Sequence, residues 1–169
     1  MNTAEQIFAE KLLRIFDNVL LTEEKALSNG YFPDLSIAEL HTLDAIGPYE
    51  ERAMSETAGR LGITTGTLTV AVDRLVRKGY VERHRDTKDR RVVRVYLSRK
   101  GKLAYRLHTK FHALLVRRIM EPLAENEQES LAKMVTQIDA FVSEQYAKYN
   151  DSTAVRPIPD NTGRSEENV

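Results

Sequence analysis

Apolar residues return at helical spacing from the start of the chain. Phe8, Leu12, Ile15, Phe16, Val19 and Leu20 form a stripe within residues 4–28, and Asn29-Gly30 with Pro33 ends it. A second helix starts behind Ser36, which forms a capping box with Glu39. Ile37, Leu40, Leu43, Ala45 and Ile46 are its apolar positions before Gly47-Pro48 stops it. Two short helices, roughly 54–61 and 65–78, follow. The tight Leu61-Gly62-Ile63-Thr64 turn between them gives the spacing of a helix-turn-helix.

Gly79 closes the second of these helices, and the pattern then alternates. YVERHR and VVRVYLS read as two strands around Asp86-Thr87-Lys88-Asp89-Arg90-Arg91, a two-stranded wing. Ser98 caps a helix to about Met120, Pro122 interrupts, and a last helix covers about 125–149. Its Leu131, Met134, Ile138, Phe141 and Gln145 follow a three-four spacing suited to packing between subunits. Residues 150–169 are polar, with Pro157, Pro159 and Gly163, and read as a flexible tail. No internal repeat is present. The fold class is mainly α with a small β-wing.

The 169 residues, 41% hydrophobic and 30% charged, suffice for one domain with a core. No apolar run approaches the roughly 20 residues of a membrane helix, and the N-terminus lacks a signal pattern, so no membrane partner and a cytoplasmic location are expected. The absence of cysteine fits a reducing compartment and excludes disulfides, thiol redox sensing and thiolate zinc sites. Charge changes the picture more. The chain as a whole is balanced at 25 basic and 25 acidic residues, yet Arg74 to Arg118 holds 16 Lys or Arg against 3 Asp or Glu. Such segregation marks a polyanion-binding surface, because each basic group near a phosphate releases condensed counterions.

In the second helix of the pair, Leu68, Ala71, Val72 and Leu75 must face the core. The opposite face then carries Thr65, Gly66, Thr69, Val70, Asp73, Arg74 and Arg77, with Thr67 at the border. Short hydroxyl side chains at a helix N-terminus can meet phosphates or base edges, and the helix amides favour a phosphate there. The plainer alternative is that Thr64 is an N-cap and the other threonines are solvated. A hairpin tip with Lys88, Arg90 and Arg91 has the size to place a guanidinium in a narrow minor groove, with Asp89 orienting it; otherwise it is a solvated charged turn.

The run VDRLVRKGYVERHRDTKDRRVVRVYLSRKG, within Leu61 to Gly101, resembles the winged helix-turn-helix of MarR-family transcriptional regulators, including the Asp-x-Arg wing signature at Asp89 and Arg91. The resemblance implies a helix 65–78 in the major groove and Arg91 in the minor groove. It also implies a dimer joined through N- and C-terminal helices, bound to palindromic double-stranded DNA with half-sites about one helical turn apart. The organisation expected is an N-terminal dimerisation helix (1–30), a winged helix-turn-helix domain (31–98), C-terminal dimerisation helices (99–149) and the tail (150–169).

Residues 16–47 and 100–116, above all Glu39-Leu40-His41-Thr42, Arg106-Leu107-His108 and Phe111-His112, resemble the fatty-acid-biosynthesis repressors of Gram-positive bacteria within that family. This implies no resident cofactor, but a repressor whose DNA affinity is raised by a long-chain acyl group on acyl carrier protein. Leu12, Leu13, Phe16, Val19, Leu20, Leu40, Leu43, Phe111, Leu114 and Leu115 would line an apolar slot between the first, second and fifth helices; the alternative is that they are core. His41, His108 and His112 belong to the same likeness. Arg99, Lys102, Arg106, Lys110, Arg117 and Arg118 are candidates for docking the acidic carrier.

His108 and His112 also stand at a zinc-chelating spacing, but acidic residues near them in sequence are few, so no metal site is assigned and a hydrogen-bonded packing role is expected. Glu23-Glu24 and Glu50-Glu51 read as solvated charges. With no phosphate loop, nucleophile elbow or metal-binding His/Glu motif, the chain is not expected to be an enzyme. A regulator released by a small aromatic ligand is the rival reading, and a metal sensor a third.

Overall fold

The computed structural model describes residues 2–150, so the tail expected from 150 onward lies outside them apart from Asn150. The order is α1 (Thr3–Ser28), α2 (Ile37–Ile46), β1 (Arg52–Ala53), α3 (Met54–Leu61), α4 (Thr65–Arg77), β2 (Val81–Arg85), β3 (Val93–Leu97), α5 (Arg99–Met120) and α6 (Glu125–Asn150). Capping sets several of these starts. Asn2 and Glu5 form a capping box on α1, and on α2 Glu39 N donates to Ser36 Oγ (3.2 Å) while Ser36 N donates to Glu39 Oε2 (2.9 Å). Ser98 Oγ accepts from Gly101 N at 3.1 Å, the cap expected on α5.

The sheet has three strands, not the two expected. Its order is β1-β3-β2, antiparallel throughout, with Arg52 opposite Val95 and Ala53 opposite Arg94. A two-residue strand has too few positions to show an alternating pattern, and only β3 supplies its partner groups. The Arg52 guanidinium anchors it, donating to the Ile46 carbonyl (2.7 Å), to Glu50 and to Glu56.

Leu43 and Ile46 of α2, Leu68, Val72 and Leu75 of α4, Val81 of β2 and Val95 and Leu97 of β3 form a core with almost no solvent exposure. Tyr80 sits among them. Its hydroxyl donates to Asp34 Oδ1 (2.6 Å), its ring meets Phe32 edge-on, and Lys100 lies 3.9 Å over its face. Gly79, at φ 77°, lets the chain turn from α4 into β2. Gly101 lets α5 start against that strand, since a Cβ there would stand 2.1 Å from the Tyr80 carbonyl oxygen.

The chain divides into two compact units, residues up to Leu115 and from Val116 onward. In the first, α1 buries only Glu23, while Ile7, Phe8, Leu13, Ile15, Phe16, Leu20 and Leu21 are each more than half exposed. In the second, Met134, Val135, Phe141, Val142 and Tyr146 of α6 are also more than half exposed. Among the described residues no helix is long and apolar enough to cross a membrane.

Candidate nucleic-acid interface

Helix α4 is positioned by a turn that only a few residue types permit. Gly62 takes the left-handed conformation (φ 65°) to end α3, and Thr64 then caps α4, its hydroxyl accepting from Thr67 N at 3.2 Å. With Leu68, Val72 and Leu75 fully buried, Thr65, Gly66, Thr67, Val70, Arg74 and Arg77 are exposed, and Thr69 is half-buried. Ala71, expected in the buried stripe, is only partly covered. The plainer reading holds for Thr64. Thr64 is the cap, the Thr67 hydroxyl pairs with the Thr64 hydroxyl (3.0 Å), and Thr69 Oγ1 donates to the Thr65 carbonyl (2.8 Å). Each hydroxyl keeps acceptor capacity toward a ligand.

The wing tip is organised by Asp86, a role not visible in the sequence pattern. Its Oδ1 accepts from Lys88 N (2.7 Å) and Asp89 N (3.2 Å), while Oδ2 accepts from Arg94 Nε on the facing strand. The Arg94 hydrogen bond and the two amides hold the Asp86 carboxyl down at about 2. Asp89 in turn grips Arg91 as expected: Oδ1 accepts from Arg91 N (3.0 Å) and Nε (3.1 Å), and Oδ2 from a terminal guanidinium nitrogen (3.2 Å). The Arg91 side chain is 91% exposed. Lys88 and Arg90 are exposed beside it. Thr65, Thr69, Arg83 and Arg91 share one shallow depression, so the recognition helix and the wing form a continuous surface.

A MarR family model matches residues 35–93, which is the α2 to wing segment just described. The structure is similar to that of Streptococcus pneumoniae FabT in complex with DNA, with 40% sequence identity over 83% of this chain and 99% of that one and a TM-score of 0.79. The chain belongs to the MarR family. It also aligns with the Bacillus subtilis HTH-type transcriptional regulator PchR, 21% identical over 73% of each chain. With the uncharacterized regulator YcgE of the same organism the identity is 38%, over about half of each chain (54%). This MarR-family protein is a DNA-binding transcriptional regulator and not an enzyme.

Between α1, α2 and α5, this MarR-family chain carries a mostly apolar pocket of about 190 Å³. Ala26, Leu27 and Tyr31 from α1 and its end, Phe32, Leu40 of α2, and Leu107 and Phe111 of α5 line it, with Glu23 and His108 as polar wall. Of the apolar residues expected to form the slot, only Leu40 and Phe111 do so. Leu43 is core. Leu13, Phe16 and Leu20 are more than half exposed, Leu114 is exposed, and Leu12, Val19 and Leu115 are half-buried; none of the seven lines the pocket. A stripe spacing fixes which residues share a helix face, not how far along the helix the neighbouring elements reach.

The histidines converge on Glu23, which is buried and not a solvated charge as expected. Glu23 Oε1 lies 2.8 Å from His112 Nε2 and 3.6 Å from His108 Nε2, and Oε2 lies 3.9 Å from His41 Nε2. His108 Nδ1 pairs with Asp44 Oδ2 at 2.8 Å, and burial, which would pull the His108 pKa down, is outweighed by Asp44 and Glu23, so it stands above its ordinary value. Glu50 and Glu51 are indeed exposed. On α5, Arg99, Arg106, Lys110, Arg117 and Arg118 are exposed and Lys102 is half-buried; Arg106 Nε donates to the Lys102 carbonyl, and Arg118 pairs with Glu121.

Proposed function

We propose that this chain is a homodimeric repressor of fatty-acid-biosynthesis genes whose affinity for a palindromic operator is raised by a long-chain acyl group carried on acyl carrier protein. The observation that carries this reading is the similarity to FabT over nearly the whole of that chain, at 40% identity. The bare apolar faces of α1 and α6 support the dimer, because faces of that size on a soluble chain call for a partner. The apolar pocket supports an acyl ligand: each methylene taken from water contributes about 0.8 kcal/mol, so two carbons change affinity roughly fifteenfold. The α5 cations, with Arg106 and Lys110 exposed, suit an acidic carrier.

At about 190 Å³ the pocket is smaller than the usual ligand cleft of about 300–1,000 Å³, so a long chain must widen it on entry. That small size, with Tyr31, Phe32 and Phe111 in the wall, is what favours the second reading, a repressor released by a small aromatic ligand. The two predict opposite signs. Operator affinity should be measured by fluorescence anisotropy on the protein's own promoter with long-chain acyl carrier protein, the free fatty acid and the unacylated carrier. Only the joined ligand should tighten binding strongly, by about 5–150-fold, since two modest contacts become one through effective concentration. Ala26→Trp, which fills the pocket mouth from an exposed position, should abolish the enhancement and keep basal DNA binding. Arg106→Glu with Lys110→Glu should cost carrier docking. An acyl carrier protein that leaves operator affinity unchanged overturns the acyl reading.

A further inference from the structure

A glycine within a helix leaves the fold weaker than alanine would, because its backbone loses more freedom on folding. It persists where something forbids a Cβ. Gly47, Gly62 and Gly79 have positive φ, and at Gly30 and Gly101 a Cβ would strike a backbone carbonyl oxygen at 2.6 and 2.1 Å. Gly66 has neither reason. Its φ is not positive, and a Cβ there would meet only Thr64 Oγ1, at 3.8 Å, an ordinary contact. The unbound protein would accept alanine at this position and gain from it.

The surroundings of Gly66 point to a partner outside the fold. It is the second residue of α4, exposed, on the side away from buried Leu68, Val72 and Leu75. Thr69 and Val70, three and four residues on, are its neighbours along the helix surface. Thr65 and Thr69 line the depression that also holds Arg91, so Gly66 lies within the recognition surface of a DNA-binding protein. Thr64 Oγ1 pairs with Thr67 Oγ1 at 3.0 Å and accepts from Thr67 N at 3.2 Å. These bonds tie the two flanking side chains to each other and leave the backbone at Gly66 bare.

We propose that Gly66 is a positioning residue for operator binding: the bare α4 backbone rests directly against the DNA there, and the missing Cβ sets how deep the helix lies in the major groove. A Cβ would hold the helix off by roughly one carbon–carbon bond, about 1.5 Å. Hydroxyl hydrogen bonds work over only about 2.5–3.0 Å, so that standoff breaks those from Thr65, Thr67 and Thr69 to base edges and phosphates. Gly66 thus acts through the threonines around it, and helix stability is given up for depth. Random DNA is held through its phosphates by the surrounding cations and needs less depth. This role belongs to DNA binding and is independent of what enters the apolar pocket.

The test uses the full chain without any acyl compound, and it reads two quantities that a purely structural role would move together. Gly66→Ala should raise the melting temperature, by up to about 4 °C. Its affinity for an operator duplex from the protein's own promoter, by fluorescence anisotropy at matched salt, should fall at least about tenfold, against less than about threefold for random DNA. Gly66→Leu should lose more than Gly66→Ala, because standoff grows with side-chain size. Gly59→Ala makes the same exchange on α3, where a Cβ meets nothing within 4 Å, and should bring the thermal gain while keeping operator affinity. A lowered melting temperature in Gly66→Ala, which would show that the fold itself needs the glycine, overturns the proposal. So does operator affinity equal to the parent's in Gly66→Ala, or a matching loss in Gly59→Ala, which would trace the effect to stiffer helices.

Discussion

Arg91 is the sharpest place to perturb the DNA contact, because the fold does not need its side chain. It is 91% exposed, and its partner Asp89 is 44% exposed, so their ion pair contributes little to stability, of order 0–1 kcal/mol. The hairpin is held instead by buried Val95 and by the Asp86–Arg94 pair. Arg91→Ala should therefore leave the melting temperature nearly unchanged and weaken operator binding by about 1–3 kcal/mol, or roughly 5–150-fold, most on A·T-rich flanks. Asp89→Asn separates the two functions of that carboxylate. The amide oxygen can still accept from Arg91 N, so the turn survives, while the charged fork holding the guanidinium is lost. One negative charge also leaves the interface. Affinity for random DNA should rise slightly while discrimination falls, and the two substitutions together should be non-additive. Anisotropy on operator and random duplexes at several salt concentrations measures all of this. Equal operator affinity of Arg91→Ala and the parent at matched salt would refute the wing assignment.

Gly101→Ala forces a Cβ to 2.1 Å from the Tyr80 carbonyl oxygen, a backbone atom that cannot swing aside, so it should destabilise by about 3 kcal/mol or more in denaturant melts. Thr67→Leu on the exposed face of α4 should lower operator-to-random discrimination, measured by competition, by about 1–3 kcal/mol with little change in salt slope. Burial acts to raise the pKa of Glu39, but its bonds to Lys78 (2.7 and 2.8 Å) and Ser36 prevail and hold it below its ordinary 4.5. A carboxyl depressed on folding stabilises above that value and loses the contribution as pH falls through its folded pKa. Unfolding free energy should therefore drop from about pH 4.5 downward, and Glu39→Gln should flatten that slope and cost about 1.5–3 kcal/mol at neutral pH. A Glu39→Gln variant with the parent's acid profile would count against this.

The sequence by itself determined what depends on neighbours a few residues apart. The helices, the Ser36–Glu39 capping box, the Gly62 turn, the buried Leu68, Val72 and Leu75 stripe and the Asp89 grip on Arg91 are all local. Spacing and propensity specify such contacts, so they were legible. Tertiary structure decided whatever joins distant segments. Strand β1 exists only because β3 offers it partners 43 residues away, Arg52 facing Val95. The reach of α2 and α5 along α1 sets which apolar residues wall the pocket, and it replaces most of the slot read from spacing with Ala26, Leu27, Tyr31, Phe32 and Leu107. The same packing takes Glu23 from an apparent surface charge to the buried centre of three histidines. Helical periodicity tells which face a residue occupies; only the packed neighbours decide whether that face meets water, apolar side chains or a buried polar cluster.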